Sequence, residues 1–193
     1  MILLLETIKC EEGIVHNLSY HQTRCDMSRK KLYDATDSLN LHSLIIPPKK
    51  GLYRCRILYH REIHSIEYIP YTPKELKHFK IISSPIDYDL KYAKRDIFNR
   101  LLEQHSEVDE VIIEKNGYLT DITIANIALY DGTTWYTPTH PLLKGTMRQK
   151  LIDNGFLQTK EIKKETLHRY SHLALINAMI GFKIINHFTI DTY

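Results

Sequence analysis

Glycine is scarce in this sequence, seven in 193 residues, and none falls in a G-x-G-x-x-G string or a Walker-type lysine loop. Folds that cradle a nucleotide on such loops are therefore not indicated. Cysteine is scarce too: Cys10, Cys25 and Cys55 are odd in number, far apart and free of any C-x-x-C pair. They predict buried free thiols in a reducing compartment, not a disulfide frame or a zinc or redox pair. Long apolar runs are missing, because Met1-Ile2-Leu3-Leu4-Leu5 is broken at once by Glu6 and Lys9. That start is too short for a signal h-region or a membrane span, so a cytoplasmic protein with no membrane partner is expected. His60 and His64 lie four apart in strand-like sequence without the Glu of H-E-x-x-H, and no metal site is expected. No G-x-S-x-G elbow supports a serine nucleophile.

Charge of one sign is not in excess either. Lys and Arg number 26 against 23 Asp and Glu, a formal net of +3 spread along the chain, which gives no warrant for nucleic acid as a partner. With 43% hydrophobic residues, the 193-residue chain can build one compact unit or two small lobes sharing a core.

Residues 1–16 read as a hairpin around Glu11-Glu12-Gly13, and from Asn17 or Ser19, either a good N-cap, to about Tyr33 the pattern turns helical, with Tyr20, Met27 and Leu32 inward. Pro47-Pro48 ends the loop that follows. Residues 51–60 and 63–71 alternate as two paired strands, and 79–83 suggest another. A break over Pro85 to Tyr88 marks the expected boundary, with an N-terminal α+β lobe over 1–88 and a C-terminal lobe over 89–193. In the latter, a helix is predicted over 93–104 with Ile97, Leu101 and Leu102 on one face, then a strand over 108–114 ending at Asn116-Gly117. Residues 122–130 and 134–137 form a hairpin through Asp131-Gly132. A helix over 145–154 closes at Gly155, and β-rich runs over 172–180 and 182–190 finish the chain. The fold class is α+β, with strands outnumbering helices.

One series of strings stands apart: Leu90-Lys91-Tyr92-Ala93-Lys94-Arg95, Gly117 to Ile127, Tyr136-Thr137-Pro138, Leu142 to Arg148, and Ile176-Asn177-Ala178. Upstream lie Glu6-Thr7-Ile8-Lys9, Gly13 and His21-x-x-Arg24. In that order and spacing, across nearly the whole chain, they resemble the class IV aminotransferase family, the pyridoxal 5'-phosphate enzymes of fold type IV. The resemblance implies the two-lobe fold of D-amino-acid aminotransferase-like enzymes, with a small N-terminal lobe and a C-terminal, β-barrel-like lobe that carries the cofactor lysine. It also implies a homodimer and a small-molecule amine substrate.

By the same resemblance Lys91 holds the cofactor as a Schiff base; desolvation at an apolar strand end favours the free amine that this chemistry needs. Lys94 is the rival lysine, but it falls in the predicted helix and is assigned to solvent. Asp121, four residues before Ala125-Asn126, stands where most of the family has a glutamate against the ring nitrogen. Being one methylene shorter, it demands a closer backbone or a bridging water. Gly145, Thr146 and Met147 open a predicted helix whose free amides suit the phosphate, with Met147 standing where many relatives have a threonine. Asn177 and Ala178 resemble a second phosphate loop, Arg24 would add a guanidinium to the same group, and the resemblance places Arg95 among the cofactor-binding residues as well. Arg148 is read as a structural brace.

Two reactions compete within the family. Thr7, the Lys91-x-x-x-Arg95 spacing and Gly145-Thr146-Met147-Arg148 each resemble the branch that eliminates pyruvate from 4-amino-4-deoxychorismate to give 4-aminobenzoate, a step of folate biosynthesis, with Thr7 assisting proton transfer. The alternative is an aminotransferase acting on branched-chain or D-amino acids. A non-catalytic relative that only binds the cofactor is a third reading, because the Tyr-Gly-Asp-Gly string that precedes the Glu-Thr strand in relatives is missing from this sequence.

Overall fold

The computed structural model describes residues 2–192; Met1 and Tyr193, the outer ends of the two expected lobes, lie outside the described residues. The protein is mixed α+β and falls into two compact units. One holds the chain up to Pro73 together with Leu90–Lys94, and the other holds Lys74–Asp89 and everything from Arg95 onward. This division differs from the one expected at 88/89. The physical reason is strand pairing: residues 78–83 pair inside the second unit, whereas 91–93 hydrogen-bond back to the first strand of the chain.

In the first unit, β1 (Leu4–Glu11) turns through Glu12-Gly13 into the short β2 (Ile14–Val15). Helix α1 (Leu18–Tyr33) follows, then a one-turn helix α2 (Leu41–Leu44), absent from the expected elements and capped by the Asn40 side chain. Strands β3 (Leu52–Tyr59) and β4 (Ile63–Pro70) complete an antiparallel sheet in the order β2-β1-β3-β4. On its core face, cross-strand pairs set Leu4 opposite Tyr59, Glu6 opposite Ile57 and Ile8 opposite Cys55. Those apolar residues, with Cys10, Cys25 and Leu41, form the core of the unit. All three cysteines are free and buried.

The face of α1 that turns inward is only partly the expected one, since Leu32 packs against the core as expected but Met27 does not. Met27 is 66% exposed, and the buried positions are His21, Cys25, Ser28 and Arg29. Their spacing is helical, but their polarity hides the stripe from a reading based on hydrophobicity. Arg29 explains part of it: this buried guanidinium donates to the carbonyls of Asp37 and Arg61 and to the Asp37 carboxylate, tying α1 to the loop after it and to the β3–β4 turn.

The second unit is a nine-stranded mixed sheet. Its strands are β5 (His78–Ser83), β6 (Glu110–Lys115), β7 (Tyr118–Ile122), β8 (Asn126–Tyr130), β9 (Trp135–Pro138), β10 (Leu157–Lys160), β11 (His172–Asn177), β12 (Gly181–Ile185) and β13 (Thr189–Asp191). The main ladder runs β10-β9-β8-β7-β6-β5-β13, with β11 bonded to β8 and β12. Among the described residues it does not close into a ring, so the barrel-like lobe is an open sheet. Parallel pairs require crossovers: α3 (Asp96–Glu103) leads into β6 beside β5, and α4 (Thr146–Asp153) leads into β10 beside β9. Helix α3 starts later than expected, which leaves Lys94 ahead of it, and its buried anchor is Phe98 at 2% exposure while Ile97 faces outward. The core gathers Phe79, Ile112, Leu119, Ile127, Ile162 and Leu173.

Among the described residues no helix is long and apolar enough to cross a membrane, and no group of three or more His, Cys, Asp or Glu could hold a metal ion.

Candidate active site

Lys91 is placed by backbone pairing. Strand β2 covers only the end of β1, and the open first half of that edge receives residues 91–93: the Leu5 amide donates to the Lys91 carbonyl at 2.8 Å, and the Ala93 amide to the Leu3 carbonyl at 2.9 Å. Leu4 and Tyr92 form the bridge between them. Strand alternation then puts Lys91 on the side of β1 that carries Leu5 and Thr7, while Glu6 points into the core.

Glu6 is the functional-looking residue that sequence reasoning passed over. It is fully buried, in line with Leu4, Ile8 and Cys10. Helix α1 brings His21 and Arg24, one turn apart, onto it. The His21 Nδ1 lies 2.5 Å from Glu6 Oε2, and Arg24 donates from Nε to Oε1 at 2.8 Å and from Nη2 to Oε2 at 2.5 Å. Burial alone would raise the Glu6 pKa, but the Arg24 charge and the hydrogen bonds of His21 and Arg24 outweigh it and hold the carboxyl at about 2. His21 is pushed down by burial, against the pull of Glu6, and the Arg24 and Lys91 charges push the same way. The cluster is therefore read as one carboxylate, one guanidinium and a neutral imidazole whose Nδ1–H donates to the carboxylate. Burial and the Glu6 charge also lift the Cys25 thiol to about 12, which keeps it an inert core side chain. A charged residue in an otherwise apolar strand face is the signal that could have singled out Glu6.

Of the residues expected to grip the cofactor ring and phosphate, Arg24 lies in the first unit, and Asp121, Gly145, Thr146, Met147, Asn177, Ala178 and Arg95 lie in the second. Asp121 sits on β7 directly opposite Asn126 on β8. It is buried, and both its oxygens accept hydrogen bonds, Oδ1 from Asn126 Nδ2 at 2.7 Å and Oδ2 from the Leu143 amide at 3.0 Å. Burial pushes its pKa up to about 6 against those bonds and the Arg148 charge. Gly145 caps α4 from an extended conformation, followed by buried Thr146 and half-buried Met147. Arg148 braces the β9 end, donating to Thr137 Oγ1 at 3.2 Å and the Pro138 carbonyl at 2.8 Å.

Arg95 and Asn177 converge on the bend between β7 and β8. Arg95 Nη2 donates to the Thr123 carbonyl at 2.7 Å, and Asn177 Nδ2 to the Ile124 carbonyl at 3.2 Å. Buried Glu110 holds the same bend from another strand, accepting from the Thr123 amide at 2.9 Å and hydroxyl at 2.6 Å. The Asn177 Oδ1 takes the Met179 and Ile180 amides, so the turn at Ala178 is closed by its own side chain.

The family model for amino-transferase class IV matches residues 3–188. An uncharacterized protein of Haemophilus influenzae is 39% identical over 187 residues, covering 94% of this chain and all of that one. A crystal structure from Haemophilus somnus 129pt, provisionally named a 4-amino-4-deoxychorismate lyase, superposes with a TM-score of 0.85 at 37% identity, covering 94% of this chain and 98% of that one. A protein of Schizosaccharomyces pombe, provisionally named an aminodeoxychorismate lyase, is 32% identical over 89 residues, which cover 43% of this chain and 38% of that one. The chain belongs to the class IV aminotransferase family and is a pyridoxal-phosphate-dependent enzyme.

Proposed function

We propose that the protein is a lyase that releases pyruvate from 4-amino-4-deoxychorismate and leaves 4-aminobenzoate, with Lys91 as the residue that binds pyridoxal 5'-phosphate covalently. The residues present fit that cofactor. Lys91 offers a primary amine on an anchored backbone, buried Asp121 offers a carboxyl for a protonated ring nitrogen, and the start of α4 offers backbone amides for a phosphate. Bound there, the cofactor would supply an electron sink for the pair left on the substrate carbon.

The observation that carries the lyase reading is the strand register that sets Lys91 and Thr7 on one side of β1. In this reading the substrate's amine would displace Lys91 from the cofactor, and the freed Lys91 Nζ would take the proton from the carbon next to that amine. The Thr7 hydroxyl assists delivery of a proton to the departing enolpyruvyl group, which leaves as pyruvate, and the ring becomes aromatic. Arg24, Thr146, Met147, Asn177 and Ala178 are proposed for the phosphate. Arg95, whose guanidinium holds the Thr123 carbonyl, would serve by fixing the bend beside Asp121. The likeness to the provisionally named Haemophilus somnus lyase over nearly its whole length supports the same reaction.

Incubating the cofactor-loaded protein with aminodeoxychorismate, and separately with amino donors and a keto-acid acceptor, tests this. Pyruvate and 4-aminobenzoate formed without an acceptor support the lyase. Turnover only with an acceptor assigns an aminotransferase, which the family match also accommodates. No turnover, with the cofactor still bound, assigns the non-catalytic relative. A homodimer is part of the proposal, read by sedimentation, and so is a cytoplasmic location, which the three buried free thiols support.

A further inference from the structure

The second unit contains a closed ring of hydrogen bonds around one amide side chain. Asn126 Nδ2 donates to Asp121 Oδ1 at 2.7 Å and to the Leu143 carbonyl at 2.8 Å, and the Leu143 amide donates back to Asp121 Oδ2 at 3.0 Å. Both hydrogens of the amide nitrogen are thus spent on two different elements, β7 and the turn ahead of α4. The far side of Asn126 is equally constrained. A Cβ built on Gly145 would stand 2.1 Å from Asn126 Oδ1, so any side chain here would force the Asn126 amide to shift, although the backbone angles are open to every residue.

We infer that Asn126 is a positioning residue that fixes the Asp121 carboxyl and the first turn of α4 with one side chain. The inference rests on the proposed reading in which Asp121 meets the cofactor ring and α4 meets its phosphate.

The argument is one of buried polar accounting. Asn126 and Asp121 are both buried, and a buried carboxyl without donors takes a proton to avoid carrying its charge out of water. The groups acting on Asp121 are the Asn126 amide, the Leu142 and Leu143 backbone and the Arg148 guanidinium, and each of them favours the ionised form. Arg148 is committed to Thr137 and Pro138, so Asn126 is the side-chain donor that contacts the carboxylate directly. The turn at 143–145 cannot slide along β7 and β8 without breaking the two bonds that Leu143 makes in the ring, one to Asn126 and one to the Asp121 carboxylate. A shift of the phosphate amides and a change in the charge state of Asp121 are therefore one event.

The test reads the Asp121 carboxyl in the cofactor-free protein by carbon NMR, assigned through its loss in Asp121→Asn, and pyridoxal phosphate uptake in parallel. Asn126→Ala is expected to move the Asp121 titration to higher pH and to weaken pyridoxal phosphate roughly tenfold or more, as the loss of a charge-assisted hydrogen bond implies. Gly145→Ala, which presses on Asn126 without removing a donor, is expected to move the same titration in the same direction, and it carries the test if Asn126→Ala does not fold. An Asp121 titration unchanged in a folded Asn126 or Gly145 variant would overturn the inference. If the wild-type protein takes up no cofactor at Lys91, the functional reading fails, whereas the carboxyl titration still decides the role of Asn126.

Discussion

Glu6 and Arg24 meet through two parallel hydrogen bonds, Nε to Oε1 at 2.8 Å and Nη2 to Oε2 at 2.5 Å, with the carboxylate fully buried and the guanidinium side chain 14% exposed. This fork fixes the plane of the guanidinium. It also makes the pair a liability when halved. Glu6→Ala is expected to cost about 3–5 kcal/mol in urea unfolding, because a mostly buried cation loses the carboxylate it is forked to. Adding Arg24→Met to that variant should recover part of the loss.

The same carboxyl sets an acid limit. Its pKa falls from 4.5 to about 2 on folding, so its contribution is complete above the unfolded value and disappears as pH drops through the interval down to about 2. A shift of that size corresponds to about 3 kcal/mol. Unfolding free energies measured from pH 6 to pH 3 should decline, and in Glu6→Gln that part of the decline should be missing. An unchanged slope in the variant would show that other carboxyls control acid unfolding.

Asp121 has the opposite sign. Burial raises it from 3.8 to about 6, so keeping it ionised costs stability above that pH, and the cost fades as pH falls through the folded value. In the proposed role the ionised form is the one that holds the ring nitrogen. Cofactor affinity should therefore weaken as pH falls below about 6, and Asp121→Asn should abolish that step while binding weakly throughout. Equilibrium dialysis across the pH range measures both.

At the reactive end, Lys91→Ala should eliminate the borohydride-trapped adduct seen by mass spectrometry while circular dichroism stays that of the parent. An adduct that persists would move the assignment to another lysine. Thr7→Val should slow pyruvate release by about a hundredfold with cofactor uptake retained, and Thr7→Ser should restore most of the rate. Equal rates in Thr7→Val and the parent would remove Thr7 from the reaction.

Arg29 and Asp37 offer a contrast in burial. Arg29 is buried and donates to acceptors on two loops, while the Asp37 side chain is 69% exposed. Arg29→Ala should cost about 3 kcal/mol or more, since the Asp37 and Arg61 carbonyls lose their donor. Asp37→Ala should cost under about 1 kcal/mol, as exposed ion-pair partners generally do. Thermal unfolding of both variants separates the two.

Much of the architecture was legible before the structure. The first hairpin, the β3–β4 pair, the Asn116-Gly117 turn and α4 with Gly155 behind it follow from alternation and turn chemistry. Part of what was hidden has one cause: polar groups placed where periodicity expects apolar ones. Glu6 interrupts an apolar strand face, and α1 buries His21, Ser28 and Arg29 while exposing Met27. Strand β10 was missed because three of its four residues face solvent. The membership of 74–89 in the second unit depends on parallel pairing with β6, a contact between distant stretches that leaves no local trace. At the candidate site, Glu6 and Asn126 stood inside the strings that carried the resemblance, but what they hold emerges only with their partners, His21 and Arg24 for the one and Asp121 and Leu143 for the other, and Glu110 emerges only with Thr123.

The borrowed edge of β1 governs how the molecule can be assembled. A ribosome must deliver some ninety residues before the edge at Leu3 to Leu5 acquires its neighbour, and until then that edge is a template for any passing extended chain. Because the chain leaves the first unit after Pro73 and revisits it for Leu90–Lys94, cutting the gene at either crossing would strand the amine from the sheet that seats it. Interrupted synthesis should thus yield sticky fragments rather than a partly working catalyst.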